Sequence, residues 1–431
     1  MKRVVASAGV LAVGMAGVQG ANVTGLTPQE QSKWWIVSGS LRGFYDDNSL
    51  NQVDELAEES LGYEFHPGVA INIPGERTLI SASYDLTLNY YENRPSEKVD
   101  QSHIFDTRLN HRFSERYDVN VENSFIYSDE PAVLDQVAGG GGAVTTVQRR
   151  GDASGFRNRA LIDFSGRTTR VFGTVAGYKN NLRDYTQTGF ASYSALLDSV
   201  EHLFHLDAQW LRSEAQIYFA GYQYGLVNYT SSDPIGTGLD PRASSRDTNR
   251  VNIFPDSKNN RSHYFYVGAR RAFSEKLTTA ASVGVQHTDY YNANETIWSP
   301  YIDLRATYTY RPGSSVQGGV SVSRQPSDYG IGDDGELTLD VQAATFFSSL
   351  THRFASRLTG TLYLSYQNTT YNGGVYDGDS SHYVTLDARL DYKLREYLFL
   401  DVGYVWTGYS TTIPDSDFTR NRVYFGIRAT Y

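Results

Sequence analysis

The chain has 431 residues, with 38 basic and 48 acidic side chains, a formal net charge of −10 and no cysteine. That balance excludes a basic, nucleic-acid-coating protein, and the missing thiols exclude disulfides, thiolate metal sites, a cysteine nucleophile and a lipid-anchored N-terminal cysteine. No run of 18 apolar residues exists, which excludes helical membrane spans, while 33 Tyr, 20 Phe and 39 Gly beside only 2 Met suit an all-β chain, including one that crosses a membrane as strands.

The N-terminus reads as a secretory signal peptide, residues 1–20. Lys2 and Arg3 give a positive start, residues 4–18 are apolar, and Val18 and Gly20 are the small residues before a cleavage point at Ala21. Losing the two basic residues takes the net charge from −10 to −12. Residues 21–32 are expected to be a short periplasmic segment, and 33–431 one transmembrane barrel. An exported chain without cysteine fits a large barrel better than a small secreted domain, which would often need disulfides.

From there the sequence alternates with period two, as strands with one face in lipid and one in water must. Trp35, Val37, Gly39, Leu41, Gly43 and Tyr45 face one way, and Ser38, Ser40 and Arg42 the other. Tyr63, Phe65, Val69, Ile71 and Ile73 oppose Glu64, His66 and Asn72. Ile80, Ala82, Tyr84, Leu86, Leu88 and Tyr90 alternate with Ser81, Ser83, Asp85, Thr87 and Asn89. The pattern returns at 302–310, 384–392 and 398–406. In 169–182 and 215–228 both faces carry Tyr, Ala and Gly, so neither face can be chosen as outward. The segments run to about 10–13 residues, the length that crosses a bilayer at a tilt, whereas soluble strands are usually about 5–6.

Connectors alternate between tight turns and long polar loops. Four turns share one plan, a polar turn between large apolar residues, around 109–117, 269–277, 350–358 and 392–398. Pro74-Gly75 and Pro312-Gly313 give two more, and others fit near Gly166 and Arg212. The long connectors are 46–61, 129–152, 230–260 and 326–337. Eight short turns imply nine loops on the other side. The fold class is therefore an all-β, transmembrane antiparallel up-and-down barrel of about 18 strands, with 16 the next count, and both chain ends in the periplasm.

The last strand ends Val423-Tyr424-Phe425-Gly426-Ile427-Arg428-Ala429-Thr430-Tyr431. Phe425, Gly426 and the final Tyr431 resemble the terminal signal of bacterial outer-membrane proteins, which the barrel assembly machinery reads; Ala429 departs from it, since a larger apolar residue is more usual there. Over roughly 30–431 the chain resembles the putative outer-membrane β-barrel porin families of Gram-negative bacteria, with residues 35–48 similar to the first strand of large porin-like proteins. The resemblance implies an outer-membrane location and a role in passage. It implies no particular solute.

A barrel of 16–18 strands is wide enough for an aqueous channel. The expected lining carries Arg42, Arg108, Arg112, Arg157, Arg159, Arg270, Arg305, Arg389 and Arg428, against Asp85, Asp106, Glu122, Asp163, Asp207, Asp303, Asp387, Asp391 and Asp401. Both signs across a wet pore favour small polar solutes; the plainer reading is that these charges pair across strands and tie the wall together. Gly139, Gly140, Gly141 and Gly142 make 129–152 a candidate for a loop folding inward, with a solvent-exposed loop tip the alternative and 230–260 an equal contender.

No catalytic, metal or cofactor site is expected: there is no His-x-x-x-His pair on a helix and no Gly-x-Ser-x-Gly elbow. The acidic clusters Asp333-Asp334-Gly335-Glu336 and Asp377-Gly378-Asp379 read as solvated loop tips, since neither completes a calcium loop. The expected function is passive or weakly selective diffusion of small hydrophilic solutes. The rivals are a structural or export barrel for surface polysaccharide or protein, marked by a plugged lumen, and a barrel-embedded hydrolase, marked by a converging Ser, His and Asp/Asn set. Expected partners are outer-membrane lipid, the assembly machinery and the solutes. A homo-oligomer is left open, because no outward polar stripe marks a subunit contact.

Overall fold

The computed structural model describes residues 34–129, 154–213, 215–242, 249–413 and 416–431, and the backbone of 132–135 and 146–148. The expected signal peptide, the periplasmic segment and Gly139 to Gly142 lie outside the described residues. Eighteen long strands are described: β1 Trp35–Asp46, β2 Ser60–Pro74, β3 Thr78–Tyr91, β4 Val99–Arg112, β5 Tyr117–Ser128, β6 Gly155–Arg167, β7 Phe172–Tyr185, β8 Ser199–Ser213, β9 Gln216–Tyr229, β10 Asn260–Ala272, β11 Leu277–Tyr290, β12 Glu295–Arg311, β13 Ser314–Pro326, β14 Asp340–Ala355, β15 Leu358–Asn372, β16 Ser380–Arg395, β17 Leu398–Thr411 and β18 Phe418–Thr430.

Each strand pairs antiparallel with its neighbours in sequence, and β18 returns to β1 in a register running from Ser38↔Thr430 to Asp46↔Arg422. The sheet is therefore closed and has no edge. This matters in a bilayer, where an unpaired strand edge finds no water to satisfy it. The count is the eighteen that the turns implied.

Alternation assigns the two faces. Outward positions such as Leu41, Phe65, Val69, Ile71, Phe105, Phe125, Ile162, Phe204, Leu206, Phe265, Val267, Val283, Val402 and Phe425 are large, apolar and exposed all round the ring. An apolar band on every side is what water rejects and hydrocarbon accepts, so this barrel spans a membrane. The interior takes the other parity. Pairing resolves the two undecided segments: in β7 and β9 the odd residues face inward, because Val175 and Gly221 both lie opposite Asp207. Polarity alone could not show this, since the inward positions there include Gly173, Val175, Gly177, Phe219, Gly221 and Gly225.

Eight tight turns lie at the end where β1 begins and β18 ends. In the turns after β4 and β10 the repeated Phe-Ser-Glu plan has a mechanism. Phe113 N–H donates to Tyr117 O (3.0 Å) and Phe273 N–H to Leu277 O (2.9 Å). Ser114 Oγ then accepts from Arg116 N–H and Ser274 Oγ from Lys276 N–H, each at 3.2 Å. At Pro312-Gly313 the glycine has φ +75°, a conformation that its lack of Cβ permits.

The opposite end holds the loops, with one departure from strict short–long alternation. Residues 291–294 connect β11 to β12 in only four residues, because β12 continues 17 residues up to meet them. Segment 186–198, not singled out from sequence, folds as a loop with a one-turn helix, α1 Tyr193–Leu197, capped by Ser192 Oγ accepting from Ala195 N–H. Segment 230–259 contains a small hairpin, Gly236–Leu239 with Arg250–Ile253, and a 3-10 turn Pro255–Lys258.

Candidate functional site

All sixteen residues central to the expected lining fall on inward positions: Arg42, Asp85, Asp106, Arg108, Glu122, Arg157, Arg159, Asp163, Asp207, Arg270, Asp303, Arg305, Asp387, Arg389, Asp401 and Arg428. The structure gathers many of them into ion pairs. At the seam, Arg42 donates to Glu64 (2.7 Å) and to Asp401 (2.6 Å), and Arg422 to the same Glu64 (3.0 Å). Arg389 reaches Asp391 at 3.0 Å and Arg428 reaches it at 3.4 Å. The Arg42 guanidinium also lies over the Tyr424 ring, 4.7 Å from its centroid. Elsewhere along the wall, His205 meets Asp163 at 3.2 Å, Tyr266 Oη donates to Asp207 at 2.7 Å, and Arg305 pairs with Asp303 at 2.8 Å. Arg108 pairs with Glu122 at 3.0 Å and His66 with Asp85 at 3.4 Å. Asp401 is only 1% exposed. Such pairs fix geometry more than they add stability, because desolvation offsets most of the attraction.

Glycine permits this packing at particular points. A methyl at Gly177 would overlap both Asp163 and the His205 ring, and one at Gly426 would overlap Arg42. Gly426, expected from the sequence to belong to a terminal signal, makes room here for the seam arginine. Gly177→Ala should destabilise the barrel by about 1–3 kcal/mol, read as an earlier loss of heat-modifiable gel mobility; an unchanged midpoint would remove the His205–Asp163 contact from the wall's constraints.

Sequence reasoning missed Glu64, Arg422 and His205 as members of these groups, and with them Lys179 and Glu201, the Lys179 ammonium lying in the field of Asp163, Asp207 and Glu201. Parity already put Glu64 and His66 inward. Lys179 lies in one of the undecided segments, where no such signal existed. The interior is also lopsided. The described inward positions of β11, β13 and β15 bear Ser, Thr, Gln, Gly, Ala and Tyr and no charge. The paired charges lie mainly on β1–β10 and β16–β18.

At the loop end the described loops pack on one another and on inward rings of the wall. Leu196, Leu197, Ile235, Ile253, Leu337 and Leu339 form one buried cluster with inward rings of Tyr185, Tyr290, Tyr371, Tyr383, Tyr409 and Phe418. These rings come from strands between β7 and β18. Hydrogen bonds join the loops to one another: Ala191 N–H donates to Pro234 O (2.9 Å), Leu239 N–H to Gly335 O (2.7 Å) and Arg250 Nη2 to Asp333 O (2.6 Å). Lys258, fully buried, donates Nζ to Leu196 O (3.2 Å) and Ser327 O (3.0 Å), linking three loops at one atom.

Two loop groups make this mouth sensitive to pH. Burial pushes the Asp198 carboxyl up to about 6, against hydrogen bonds from Ser194 and the Tyr185 amide. Burial pushes the Lys258 ammonium down to about 8. A raised acid stabilises the folded loop below its ordinary value of 3.8 and loses that contribution as pH rises through 6. A lowered base does so above 10.5 and loses it as pH falls through 8. The packed loops should therefore be weakest between about 6 and 8. Limited proteolysis across pH should be fastest in that window. Asp198→Asn should remove the acid limb and Lys258→Met the alkaline one; a flat profile for the native chain would contradict the assignment.

No catalytic set assembles among the described residues. The imidazoles of His66 and His205 meet carboxylates, but neither holds a serine hydroxyl. Nor is any group of three or more His, Asp or Glu side chains placed to hold a metal ion. Asp334 accepts the Glu336 amide and Asp377 the Gly373 amide within their own turns, and Asp379 accepts the Thr412 hydroxyl of the next loop, so these loop acids hold the loops' own structure.

No curated protein sequence matches the chain. Solved structures similar to it include OpdK of Pseudomonas aeruginosa with vanillate, at 12% identity and TM-score 0.45, covering 92% of this chain and 99% of that one. They also include a ferric enterobactin receptor mutant of Pseudomonas aeruginosa, at 8% identity and TM-score 0.44 over 92% and 81%. The siderophore receptor PirA of Acinetobacter baumannii follows at 8% identity and TM-score 0.40 over 92% and 80%. Residues 261–431, about two fifths of the chain and spanning all but the first residue of β10 to β18, match the family model described as putative beta-barrel porin 2, and this match bears out the porin-family resemblance drawn from the sequence.

Proposed function

We propose that the protein is a porin-like channel of the outer membrane, through which small hydrophilic solutes diffuse passively or with weak selectivity. The observation that carries this reading is a closed ring of eighteen strands with apolar residues outward and polar or charged residues inward. A ring of that size encloses more space than its own side chains fill. The paired charges would set up a transverse field along one side of the path. The uncharged inward positions of β11, β13 and β15 would offer hydroxyls and amides. Solute choice would then rest on size and polarity, with the loop cluster narrowing the outer entrance. Phe425, Gly426 and Tyr431 would serve the barrel assembly machinery as the terminal signal.

The test is single-channel conductance of the detergent-purified protein in a planar bilayer. Steady, weakly ion-selective steps are expected. Arg157→Glu with Arg159→Glu should then shift selectivity towards cations, and no shift would take both residues out of the path. A folded barrel that never conducts would overturn the reading. It would favour a structural or export barrel, a second reading supported by the interlocked loops across the mouth.

A further inference from the structure

Seven of the nine histidines sit on the outward face of the barrel, an unusual place for imidazole. Four of them repeat one arrangement. Tyr84 lies by His103, Tyr178 by His202, Tyr222 by His263 and Tyr366 by His382, with Tyr Oη to His Nδ1 distances of 2.8, 2.7, 2.8 and 2.9 Å. Each pair spans two adjacent strands joined by an outer loop: β3/β4, β7/β8, β9/β10 and β15/β16. The register is the same every time. The tyrosine stands opposite Phe105, Phe204, Phe265 or Val384, and the histidine is two residues nearer the loop end.

Depth and tautomer give these pairs a chemistry. Each histidine is the third to fifth residue from the loop end of its strand. At about 3.3 Å per residue and a tilt of about 35–45°, that is roughly 5–13 Å below the loops, where headgroups give way to acyl chains. At His202 and His382 an amide Nδ2 also approaches the same Nδ1, from Asn180 at 3.4 Å and from Asn368 at 3.2 Å. An amide nitrogen only donates, so Nδ1 is the acceptor and the proton sits on Nε2. At His103 and His263 the tyrosine hydroxyl lies against the same Nδ1 in the same geometry, and the same tautomer is extended to them. Among the described residues no acceptor meets any of the four Nε2–H groups. A donor turned towards lipid is costly if left without an acceptor, and in the interfacial zone the acceptors at hand are headgroup oxygens and the water among them.

We propose that the four Tyr–His pairs are binding sites for phosphate-bearing lipid headgroups in the leaflet on the loop side, each Nε2–H donating to a phosphate oxygen. A phosphate is favoured over a neutral ester carbonyl because hydrogen bonds to an ionised acceptor are shorter and stronger. The tyrosines are positioning residues, since they fix the ring and its tautomer and leave the lipid to the imidazole. This surface is independent of whether the lumen conducts.

Native mass spectrometry of the full chain, released from detergent with phosphatidylglycerol or with phosphate-free digalactosyl diacylglycerol of the same acyl chains, tests the proposal. The native protein should retain several-fold more phosphatidylglycerol, in up to four copies, and free inorganic phosphate should not displace it. The variant H103F/H202F/H263F/H382F should lose the preference. Y84F/Y178F/Y222F/Y366F, which keeps every ring, should weaken it and should release the imidazole ¹⁵N signals from a single tautomer. Equal retention of the two lipids by the native chain would overturn the proposal even if a variant failed to fold. So would an undiminished preference in a folded histidine variant, which would leave the rings as an ordinary aromatic girdle.

Discussion

Replacing residues 328–338 by a short Gly-Ser link should raise single-channel conductance several-fold. This segment sends Tyr329, Ile331 and Leu337 into the cluster at the mouth. It also accepts Leu239 N–H at Gly335 O and Arg250 Nη2 at Asp333 O. Removing it takes away apolar cover and two cross-loop bonds together, so the neighbouring loops 186–198 and 230–259 lose much of what holds them. The barrel wall should remain intact, because β13 and β14 keep their register from Ser315↔Thr351 to Pro326↔Asp340 without the loop. Heat-modifiable gel mobility would confirm that the shortened chain is folded. A folded variant with native conductance would place the narrowing elsewhere and remove the loop cluster from any account of passage.

Arg420→Ala should be the most damaging single change in the wall. Arg420 on β18 donates Nε and Nη2 to Asp46 on β1, the latter at 2.6 Å, and Nη1 to Asn51 at 3.0 Å. Asp46 is fully buried, so truncation strands a carboxylate without water. The expected loss is about 3–5 kcal/mol of unfolding free energy, the usual cost of breaking a buried pair. The position raises the stakes, since the β1–β18 pairing closes the ring and its loss exposes two strand edges. Neighbouring contacts add to it: Asn421 with Asp47 and Thr419 with Asp54. The paired change Asp46→Leu with Arg420→Met should recover much of the loss, because neither charge is then left alone. Denaturant midpoints in detergent would measure both. A single variant as stable as the native chain would show that water reaches Asp46 and that the seam is held by backbone pairing alone.

The strands themselves were legible because lipid and water leave no choice of pattern. Leu41 or Tyr84 had to face outward, Arg42 or Asp85 inward, and a one-residue slip would reverse every side chain. The strand count followed from turn chemistry, since Phe113-Ser114-Glu115 and Phe273-Ser274-Glu275 announce reversals locally. Where inward positions held glycine or aromatic residues, as at Gly177 and Gly221, the polarity signal vanished. Only the pairing with Asp163 and Asp207 restored it.

By itself, then, the sequence determined a cysteine-free chain that folds as a membrane barrel of about eighteen strands with charges on its inner face, because periodicity and turn propensity are local and act within a few residues. The tertiary structure decided which charges meet, as Arg42 does with Asp401 across 359 positions of sequence, how Lys258 ties three loops across the mouth, and that four tyrosines fix four histidines against the lipid. Those outcomes depend on register, ring closure and loop docking, which bring together residues whose own neighbours in the chain carry no trace of the contact.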